Sequence, residues 1–507
     1  MYLRDRIAAL MNSESPRIHT RDGVPLPKER LAAEYRAIRN HITGRVALAG
    51  KVAVQLPYDY LFLLCALACM ETGRVYLPLG QDWPASRIEQ IRLSSQFDLL
   101  LDEAAIGSIL AGPAAGEAEA PVPLDPGSIL YIIYTSGSTG EPKGVMISRG
   151  NYEAFLRFLD GFFPDVRSSD NLLMVARYTF DMSLLDVGML LVRQLGYFFS
   201  RSAGSAFQLA LEIEDYRITW IDAVPNQIGI ILDDAVFSRA DLASLRHLVL
   251  GGSRFPWKLL EELKTKLAPE VDLVNAYGPT ETTVYTHFKR FTRDPGLDAH
   301  EGTLSVGSPT PETACALLDP GTGRPISEPL VRGELLLGGA QLMLGYCNDP
   351  ERTARCLVQV DGTTYYRTGD VSYRNSRGDY FIVGRMDETI KRRGYRINLL
   401  DIDSYIQRVP GVLQCMTLAY PADGIDHFIL AVVQRDQDNT MTAEHLRAEL
   451  AALLVEYQIP DHIEFLASLP QNASCKLSRN ALMEQFRTTA DRILAALGQP
   501  ESMERPR

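Results

Sequence analysis

The chain has 507 residues, of which 46% are hydrophobic and 22% are charged, and its formal net charge is −12. This length exceeds a single ordinary core and predicts two or more domains, and the acidic balance argues against a nucleic-acid partner. The seven cysteines are scattered without a C-x-x-C pair, which indicates a reducing compartment and argues against a disulfide framework or a zinc cluster.

The N-terminal segments predict a cytoplasmic protein with no membrane partner. Charged residues interrupt the first apolar run, and no cleavage-site pattern follows it. The most apolar early segment, 60–70, is too short to span a bilayer. It indicates a buried helix, in which Cys65 and Cys69 lie one turn apart.

Helical and strand-like patterns alternate from about residue 31 to residue 125. They fall at 31–42, 52–56, 60–71, 75–78, 87–94 and 99–101. Such alternation is typical of an α/β protein, in which helices cover both faces of a largely parallel sheet. Residues 111–126 are rich in Ala, Gly, Pro and Glu and indicate an exposed connector.

A polar loop follows the next predicted strand, at 130–134. Residues 135–144 are Thr-Ser-Gly-Ser-Thr-Gly-Glu-Pro-Lys-Gly, which combines hydroxyl groups, glycine amides and one lysine. Glycine lets a backbone turn its amides toward an anion, and ligand sites of open α/β sheets lie after strand ends. The loop therefore predicts phosphate binding, although no Walker ending follows and a Ser/Gly surface loop has a similar composition.

This stretch resembles the signature loop of the adenylate-forming superfamily, which holds acyl-CoA synthetases, luciferases and the adenylation domains of nonribosomal peptide synthetases. The resemblance implies an α/β fold with ATP and Mg²⁺ as cofactors. A large N-terminal domain of stacked mixed β-sheets with helices and a β-barrel-like subdomain is expected at 1–386. A small mobile α+β domain is expected at 387–507, with the hinge at Asp387. The loop residues expected to bind the nucleotide are Thr135, Ser136, Gly137, Ser138, Thr139, Gly140 and Lys143.

A second motif, Tyr-Gly-Pro-Thr-Glu-Thr, occupies 277–282 after another predicted strand. Thr280 offers a hydroxyl to the α-phosphate, and Glu281 offers hard oxygen ligands for Mg²⁺. Ala276, Tyr277 and Gly278 are expected to contact the nucleotide, with an aromatic face from Tyr277 and a close approach at Gly278. The letters Gly-Pro-Thr-Glu also suit a plain turn, but the phosphate loop in the same chain favours the functional interpretation.

Asp181 lies in Tyr-Thr-Phe-Asp-Met-Ser, just before an apolar helix predicted at 184–191. It either caps that helix or, as in amino-acid-activating members of the superfamily, pairs with the α-ammonium of the substrate. Comparison with peptide-synthetase adenylation domains implies a side-chain pocket closed by Lys476. Its candidate members are Asp181, Met182, Leu185, Asp222, Val249, Gly251, Ala276, Val284 and Tyr285.

Asp222 is a second carboxylate in this mostly apolar candidate pocket. Such a carboxylate favours a substrate with a distal cation, as in lysine, ornithine or arginine. The alternative is that Asp222 points away from the ligand or hydrogen-bonds to Tyr285 or nearby amides.

Further residues follow from the resemblance in the last third of the chain. Asp370, after a Thr-Gly turn, is expected to accept the ribose hydroxyls. Arg385 is a candidate ribose or phosphate contact. Lys476 matches the lysine of a Gly-Lys-x-x-Arg ending, although a lone lysine is also typical of a solvated surface.

Three positions depart from the family pattern. Cys475 replaces the glycine of that ending, either as a redox-sensitive thiol or as a small side chain in the space of glycine. Asn398 and Leu400 depart from the usual Arg-Ile-Glu-Leu-Gly-Glu pattern and concern the thiol-delivery surface rather than adenylation.

Together the motifs predict an amino-acid adenylating enzyme, an AMP-forming acid–thiol ligase with Lys476, Thr280 and Glu281 as catalytic residues. These groups neutralise charge at phosphorus while the carboxylate attacks ATP. Since about thirty residues follow Lys476, the expected acceptor is the phosphopantetheine thiol of a separate carrier protein, in nonribosomal-peptide-type biosynthesis. The alternatives are an acyl-CoA ligase for an amine-free acid and a nucleotide-binding protein that has lost catalysis.

Overall fold

The structure is a computed structural model that forms two compact units. The first contains Met1–Asp298, Ser305–Ala316 and Leu336–Thr368, and the second contains Ala299–Leu304, Leu317–Leu335 and Gly369–Arg507. The domain division at 386/387 remains a prediction, and Asp387 lies outside the described residues. The described residues are 2–14, 16–112, 123–136, 142–202, 205–232, 242–291, 299–300, 303–386, 389–392, 395–422, 426–436, 440–451, 454, 458–472 and 476–497.

The helices in these residues are distributed along the whole chain. They are α1 Tyr2–Met11, α2 Lys28–Arg45, α3 Tyr60–Thr72, α4 Ala85–Ser95, α5 Glu103–Ala111, α6 Arg149–Phe162, α7 Ser183–Arg193, α8 Ala206–Asp215, α9 Pro225–Ile231, α10 Trp257–Lys266, α11 Pro350–Cys356, α12 Leu399–Ile406, α13 Ala443–Ala451 and α14 Arg479–Leu497. No helix in the part of the chain that the structure describes has the length and apolar content needed to cross a bilayer.

The strands alternate with the helices in the first half of the chain and cluster in the second. They are β1 Lys51–Val54, β2 Val75–Pro78, β3 Leu99–Leu101, β4 Ile129–Ser136, β5 Pro142–Ser148, β6 Asn171–Met174, β7 Gly196–Phe199, β8 Trp220–Ala223, β9 His247–Leu250, β10 Asp272–Tyr277, β11 His287–Arg290, β12 Ala299–His300, β13 Thr303–Leu304, β14 Ser308–Pro309, β15 Thr313–Leu318, β16 Pro325–Ile326, β17 Gly333–Gly339, β18 Gly345–Tyr346, β19 Leu357–Val360, β20 Thr363–Arg374, β21 Tyr380–Arg385, β22 Thr389–Arg392, β23 Tyr395–Asn398, β24 Val412–Ala422, β25 Asp426–Arg435 and β26 His462–Leu466.

The first unit contains a six-stranded sheet in the order β18-β5-β4-β2-β1-β3. Its central strands pair in parallel, and β4 pairs antiparallel with β5. Helix α3 connects β1 to β2. Its residues are apolar on nearly all sides, which is typical of a buried helix, and nearly every one of them is buried. It ends at Gly73, whose φ of 74° is the left-handed conformation that glycine adopts without steric cost. The buried helix predicted at 60–70 is thereby confirmed.

A second sheet of the same unit has the order β14-β11-β10-β9-β8-β6-β7. Strands β6 to β10 pair in parallel, while β11 and β14 are antiparallel additions. Because parallel strands end at the same edge of a sheet, the residues after β8, β9 and β10 come together. Asp222 of β8 is in register with Val249 of β9, and the Gly251 amide donates to the Ala223 carbonyl.

In the second unit, β24, β25 and β26 form a three-stranded sheet with helices on both faces. The alternation along β25 explains this arrangement, since successive side chains of a strand point to opposite faces. Ile429, Ala431 and Val433 pack in one apolar cluster with α12 and α13 residues, whereas Leu430 and Val432 pack in another with α14 residues. Antiparallel pairs also join β15 to β16 and the end of β20 to β21.

The predicted α/β class with mixed sheets is confirmed. The helices predicted at 31–42 and 87–94 are α2 and α4, and the strands predicted at 52–56, 75–78 and 99–101 are β1, β2 and β3. The bounds of β2 and β3 coincide with the prediction, whereas the ends of α2, α4 and β1 differ by one to three residues, because capping and pairing rather than hydrophobic period set where an element stops.

Candidate active site

The predicted phosphate loop connects β4 to β5, which form an antiparallel hairpin. Thr135 pairs with Lys143, and Ser136 pairs with Pro142. The loop residues between them, Gly137, Ser138, Thr139 and Gly140, lie outside the described residues. The Thr135 hydroxyl is buried and has no hydrogen-bond partner among the described residues, which do not include 137–141. A buried hydroxyl at a strand end leading into such a loop is available to a ligand oxygen.

Lys143 and Glu281, predicted from two different motifs, form an ion pair. The Lys143 Nζ lies 2.6 Å from Glu281 Oε1, and the side chains are 20% and 6% exposed. The Tyr346 hydroxyl donates to the same Glu281 oxygen at 2.7 Å and accepts from the Lys143 Nζ at 3.0 Å. The three groups are a closed triangle of charge-assisted hydrogen bonds around one carboxylate oxygen.

The triangle keeps Glu281 ionised. Burial alone would raise the pKa of the Glu281 carboxyl, but the charge and hydrogen bond of Lys143, together with the hydrogen bond of Tyr346, hold that pKa below its ordinary value. The Lys143 and Tyr346 donors both bond to Oε1. A charged carboxylate oxygen is the kind of group that binds Mg²⁺.

Glu281 is presented by a short 3₁₀ turn, Thr280–Thr282, that follows β10. Ala276 is buried on β10, and Tyr277 at its end is partly exposed. A Cβ at Gly278 would lie 2.6 Å from the Tyr285 Cα and 2.6 Å from the Val284 carbonyl oxygen. The backbone of Val284 and Tyr285 occupies the space that a side chain at position 278 would need, so the position requires glycine. The sequence alone did not suggest this reason.

Asp181 precedes α7, as predicted, but the N-cap residue of that helix is Met182, which makes no side-chain capping hydrogen bond. Asp181 is partly exposed. Its charge adds to burial in raising the pKa of Tyr131 and of Asp222, which places its carboxylate near both groups. The Tyr131 hydroxyl is buried and has no hydrogen-bond partner in the part of the chain that the structure describes. Met182 and Leu185 are buried on the same helix start.

Asp222 is fully buried on β8. Its Oδ1 lies 3.5 Å from the Tyr285 hydroxyl, at the long limit of a hydrogen bond, and its Oδ2 has no partner among the residues that the structure describes. The predicted alternative, a hydrogen bond between Asp222 and Tyr285, therefore occurs at one carboxylate oxygen only and at the long limit of distance. Burial, opposed by this hydrogen bond and assisted by the Asp181 charge, raises the pKa of Asp222 well above its ordinary value.

A third carboxylate, Asp186 of α7, was missed by the sequence reasoning. It is 0% exposed, and neither of its oxygens has a hydrogen-bond partner within the described ranges. Burial and then the neighbouring Asp222 charge raise the pKa of Asp186 well above its ordinary value, opposed by the nearby indole N–H of Trp220. The sequence did carry a signal, because an aspartate inside an apolar helix is expensive to bury without a partner.

Tyr285 fills the space beside Gly251. A Cβ at Gly251 would lie 2.5 Å from the Tyr285 Cζ, so only glycine leaves room for this ring. Val249 and Val284 are also buried, at 0% and 1% exposure. Tyr285 thus lies against Asp222 and Gly251, at the ends of β8 and β9.

Of the predicted residues in the second unit, Asp370 and Arg385 lie on the paired strands β20 and β21, and Lys476 lies just before α14. Arg385 Nη1 and Asp370 Oδ1 are 3.1 Å apart, so these two candidate ribose contacts pair with each other. Lys476 follows residues 473–475, which include Cys475 and are outside the described residues. Its backbone is fixed by Asn472, whose side chain accepts from the Lys476 amide at 3.1 Å and whose amide donates to the Lys476 carbonyl at 2.8 Å.

Comparison with known proteins decides the family. Residues 30–347 match the model of a family described as AMP-binding enzyme. This chain belongs to the AMP-binding enzyme family. The membership confirms the predicted superfamily and enzyme class, an AMP-forming acid–thiol ligase of the adenylation type.

Relatives of this AMP-binding enzyme include proteins of several architectures. It is 30% identical over 454 residues to the dapdiamide synthesis protein DdaD of Enterobacter agglomerans, covering 87% of this chain and 74% of that protein. It is 30% identical over 448 residues to the D-alanine–D-alanyl carrier protein ligase of Bacillus licheniformis, covering 83% and 86%. Over 477 residues it is 30% identical to the phenyloxazoline synthase MbtB of Mycobacterium tuberculosis, of which it spans only 32%.

Solved structures show the same fold. MatB from Rhodopseudomonas palustris, with ATP bound, superimposes with a TM-score of 0.83 at 21% identity and covers 96% of this chain and 100% of that one. Holo-AB3403, a four-domain nonribosomal peptide synthetase bound to AMP and glycine, has a TM-score of 0.80 at 24% identity and covers 94% and 36%.

Proposed function

We propose that this AMP-binding enzyme activates an amino acid, and that the amino acid carries a basic side chain. The carboxylate attacks the α-phosphorus of ATP, which gives an aminoacyl-AMP and pyrophosphate, and the acyl group then passes to the phosphopantetheine thiol of a carrier protein. The observation that carries the proposal is the group of Asp181, Asp222 and Asp186 beside the nucleotide motif of an AMP-binding enzyme. Among the relatives, the name of the D-alanine–D-alanyl carrier protein ligase states an amino acid and a carrier protein.

We assign nucleotide binding to residues of the first unit whose side chains can donate hydrogen bonds to phosphate oxygens. Lys143, Thr280 and the Thr135 hydroxyl offer donors to phosphate. Glu281 is the residue that would hold Mg²⁺, and the ion would supply charge neutralisation at phosphorus. No group of three or more His, Cys, Asp or Glu side chains suited to a metal occurs in the described part of the chain, which agrees with a cation held mainly by one carboxylate and the substrate.

Asp181 is assigned to the substrate α-ammonium. It lies near Asp222 and Tyr131 and does not occupy the N-cap position of α7, so a helix cap does not account for it. An α-ammonium would offer this carboxylate a charged hydrogen-bond donor, whereas an amine-free acid would offer it none.

Asp222 and Asp186 support the basic side chain. Three of their four carboxylate oxygens have no partner in the described residues, and the fourth has only the long contact to Tyr285. A buried pair of this kind holds protons to higher pH than ordinary carboxyls, because burial and mutual repulsion disfavour its charge. A distal ammonium or guanidinium would favour the ionised form of these carboxyls, and it would donate hydrogen bonds to their unpaired oxygens.

The second-unit residues complete the proposal. Lys476 is the catalytic lysine, Asp370 and Arg385 contact the ribose, and a hinge at Asp387 moves the C-terminal domain between the two half-reactions. Asp370 exchanges its Arg385 partner, or shares it, when ribose hydroxyls arrive.

Amino-acid-dependent exchange of pyrophosphate into ATP tests the proposal directly. A full amino-acid panel, with arginine, lysine and ornithine first, should give the largest rates for basic substrates. The KM for that substrate should fall as pH rises, because the raised pKa values keep the Asp222–Asp186 pair protonated and unable to pair with a cation at lower pH. Exchange with simple carboxylic acids, and not with amino acids, would instead assign the acyl-CoA ligase activity.

Asp222→Asn is the decisive variant. It should reduce kcat/KM for the basic substrate by about 10- to 100-fold, since a buried charge-assisted hydrogen bond contributes about 1.5–3 kcal/mol, and it should remove the pH dependence of KM. Asp361→Asn makes the same change in an exposed turn at a φ of 49°, which asparagine tolerates, and should leave both unchanged. An Asp222→Asn enzyme with unaltered selectivity would overturn the assignment of a basic substrate.

A further inference from the structure

Two consecutive β-branched residues next to the candidate metal ligand adopt left-handed backbone conformations. Thr283 has a φ of 57° and Val284 a φ of 66°. Both are fully buried, with 0% and 1% exposure. A β-branched residue rarely adopts this region, so such a segment persists only where its surroundings impose it. The turn therefore needs a specific source of restraint.

The Gln341 side chain supplies that restraint through its amide nitrogen. Gln341 is 1% exposed, and its Nε2 donates to the Tyr285 carbonyl at 3.0 Å and to the Thr283 carbonyl at 3.1 Å. The Thr282 carbonyl lies at 3.4 Å. Since carbonyl oxygens only accept, these contacts fix which end of the amide is the NH₂ group.

The other polar atoms of Gln341 are also engaged. Its Oε1 accepts from the hydroxyls of Thr310 at 2.8 Å and Thr313 at 3.3 Å. Its backbone carbonyl accepts from the Thr283 hydroxyl at 2.7 Å. A buried polar network in which every member is satisfied rigidifies the segment that it surrounds.

The restrained turn connects the two functional parts of the first unit. On one side is Glu281, whose backbone carbonyl accepts from the Met343 amide at 2.9 Å, two residues beyond Gln341. On the other side are Val284 and Tyr285, which contribute to the candidate substrate pocket. A change in the turn therefore moves the metal-binding carboxylate and the pocket wall together.

We propose that Gln341 is a positioning residue for the reaction: its amide holds the left-handed Thr283–Val284 turn and thereby sets Glu281 and Tyr285 relative to each other. This inference rests on the proposed function for the roles of those two side chains. It does not depend on that function for the restraint of the turn itself, which can be measured separately.

The test compares Gln341→Met and Gln341→Glu with Gln359→Glu as the matched control. Gln359 is exposed, and its amide bonds to the Thr364 hydroxyl at 2.6 Å. Hydrogen–deuterium exchange of the 279–286 segment should speed up roughly tenfold or more in Gln341→Met and stay at the wild-type rate in Gln359→Glu. Unchanged protection in Gln341→Met would overturn the proposal, whether or not the enzyme proves to use amino acids.

Kinetics then separate positioning from simple stability. In Gln341→Met, the Mg²⁺ concentration for half-maximal pyrophosphate exchange and the amino-acid KM should both rise by roughly tenfold, because both side chains lose their alignment. A lower melting temperature with Mg²⁺ dependence and KM unchanged would show a structural role only and refute positioning. If wild type shows no amino-acid-dependent exchange, the proposed function fails while the exchange-protection result still decides the restraint.

Two further variants test the physical cause. Gln341→Glu places a carboxylate against carbonyl oxygens, so its defect should diminish as pH falls and the carboxyl becomes a donor, a trend that Gln341→Met does not show. Thr283→Gly relieves the left-handed strain, because glycine adopts positive φ freely, and should recover part of the KM and Mg²⁺ defects when added to Gln341→Met. A double variant no better than the single one would contradict strain as the reason that Gln341 is needed.

Discussion

Replacing Tyr346 with phenylalanine would remove the hydroxyl from the Lys143–Glu281–Tyr346 triangle and leave the Lys143–Glu281 ion pair in place. The phenylalanine keeps the ring, over whose centroid the Lys143 Nζ lies at 4.9 Å, and removes the hydroxyl that donates to Glu281 and accepts from Lys143. Packing and the cation–π contact are thereby preserved. The change tests whether Tyr346 holds the candidate metal carboxylate in place.

The expected loss in the free energy of unfolding is about 1.5–3 kcal/mol, the range for a hydrogen bond to a charged group. The geometry favours the upper part of that range, because the bond is 2.7 Å long and Glu281 is 6% exposed. The Tyr346 hydrogen bond also lowers the pKa of Glu281, so its removal raises that pKa. A carboxyl with a lowered pKa stabilises the fold above its ordinary pKa and loses this contribution as pH falls. In the variant, the native pKa of Glu281 lies closer to its value in the unfolded chain, so the loss of stability between neutral and acid pH should be smaller than in wild type.

Urea unfolding from neutral to acid pH measures the first effect, and a Mg²⁺ titration of pyrophosphate exchange measures the second. Tyr134→Phe is the control, because it removes a hydroxyl that bonds to the neutral Ser94 hydroxyl at 3.0 Å and should cost only about 0.5–1.5 kcal/mol. The reasoning is refuted if Tyr346→Phe matches this control in stability and wild type in the acid limb and Mg²⁺ dependence.

Three other changes address the remaining assignments. Lys476→Ala should reduce adenylation by roughly 100- to 1000-fold, as expected for loss of one charge-stabilising donor, and leave thiol transfer from preformed adenylate intact; equal losses in both half-reactions would contradict its role. Asp181→Ala should raise the KM for the amino acid far more than the KM for ATP, and equal effects would remove it as the ammonium partner. Gly251→Ala should displace the Tyr285 ring, lower stability by about 1–3 kcal/mol and change side-chain selectivity; an unaltered substrate profile in the exchange panel would argue against Tyr285 as a pocket residue.

The helices and strands of the first unit were accessible from sequence because their hydrophobic periods are strong and their connections short. α3 is the clearest case, since an apolar run of this length between two short strands has few alternatives to a buried crossover helix. The ends were less accessible. The helix after Asp181 begins at Ser183, one residue before the prediction, because the turn at 180–182 already uses backbone hydrogen bonds of helical type.

Only parts of the candidate site could be predicted from the sequence. Lys143 and Glu281 were each predicted from a separate motif, but they are 138 residues apart, and their ion pair depends on how β5 meets the 3₁₀ turn. Tyr346 and Gln341 had no signal, since a tyrosine or a glutamine near a strand end is common in any β-rich segment. Their partners are backbone and side-chain oxygens that only the tertiary structure brings within reach.

The Lys143–Glu281 pair also bears on how the fold tolerates a buried candidate metal-binding carboxylate. An unpaired carboxylate at 6% exposure would destabilise the fold, but Lys143 is its counter-ion within the chain. If Glu281 holds Mg²⁺ as proposed, the cation would arrive at a carboxylate whose charge Lys143 already neutralises. A chelator should accordingly halt turnover without lowering the melting temperature, because the Lys143–Glu281 ion pair does not depend on the metal.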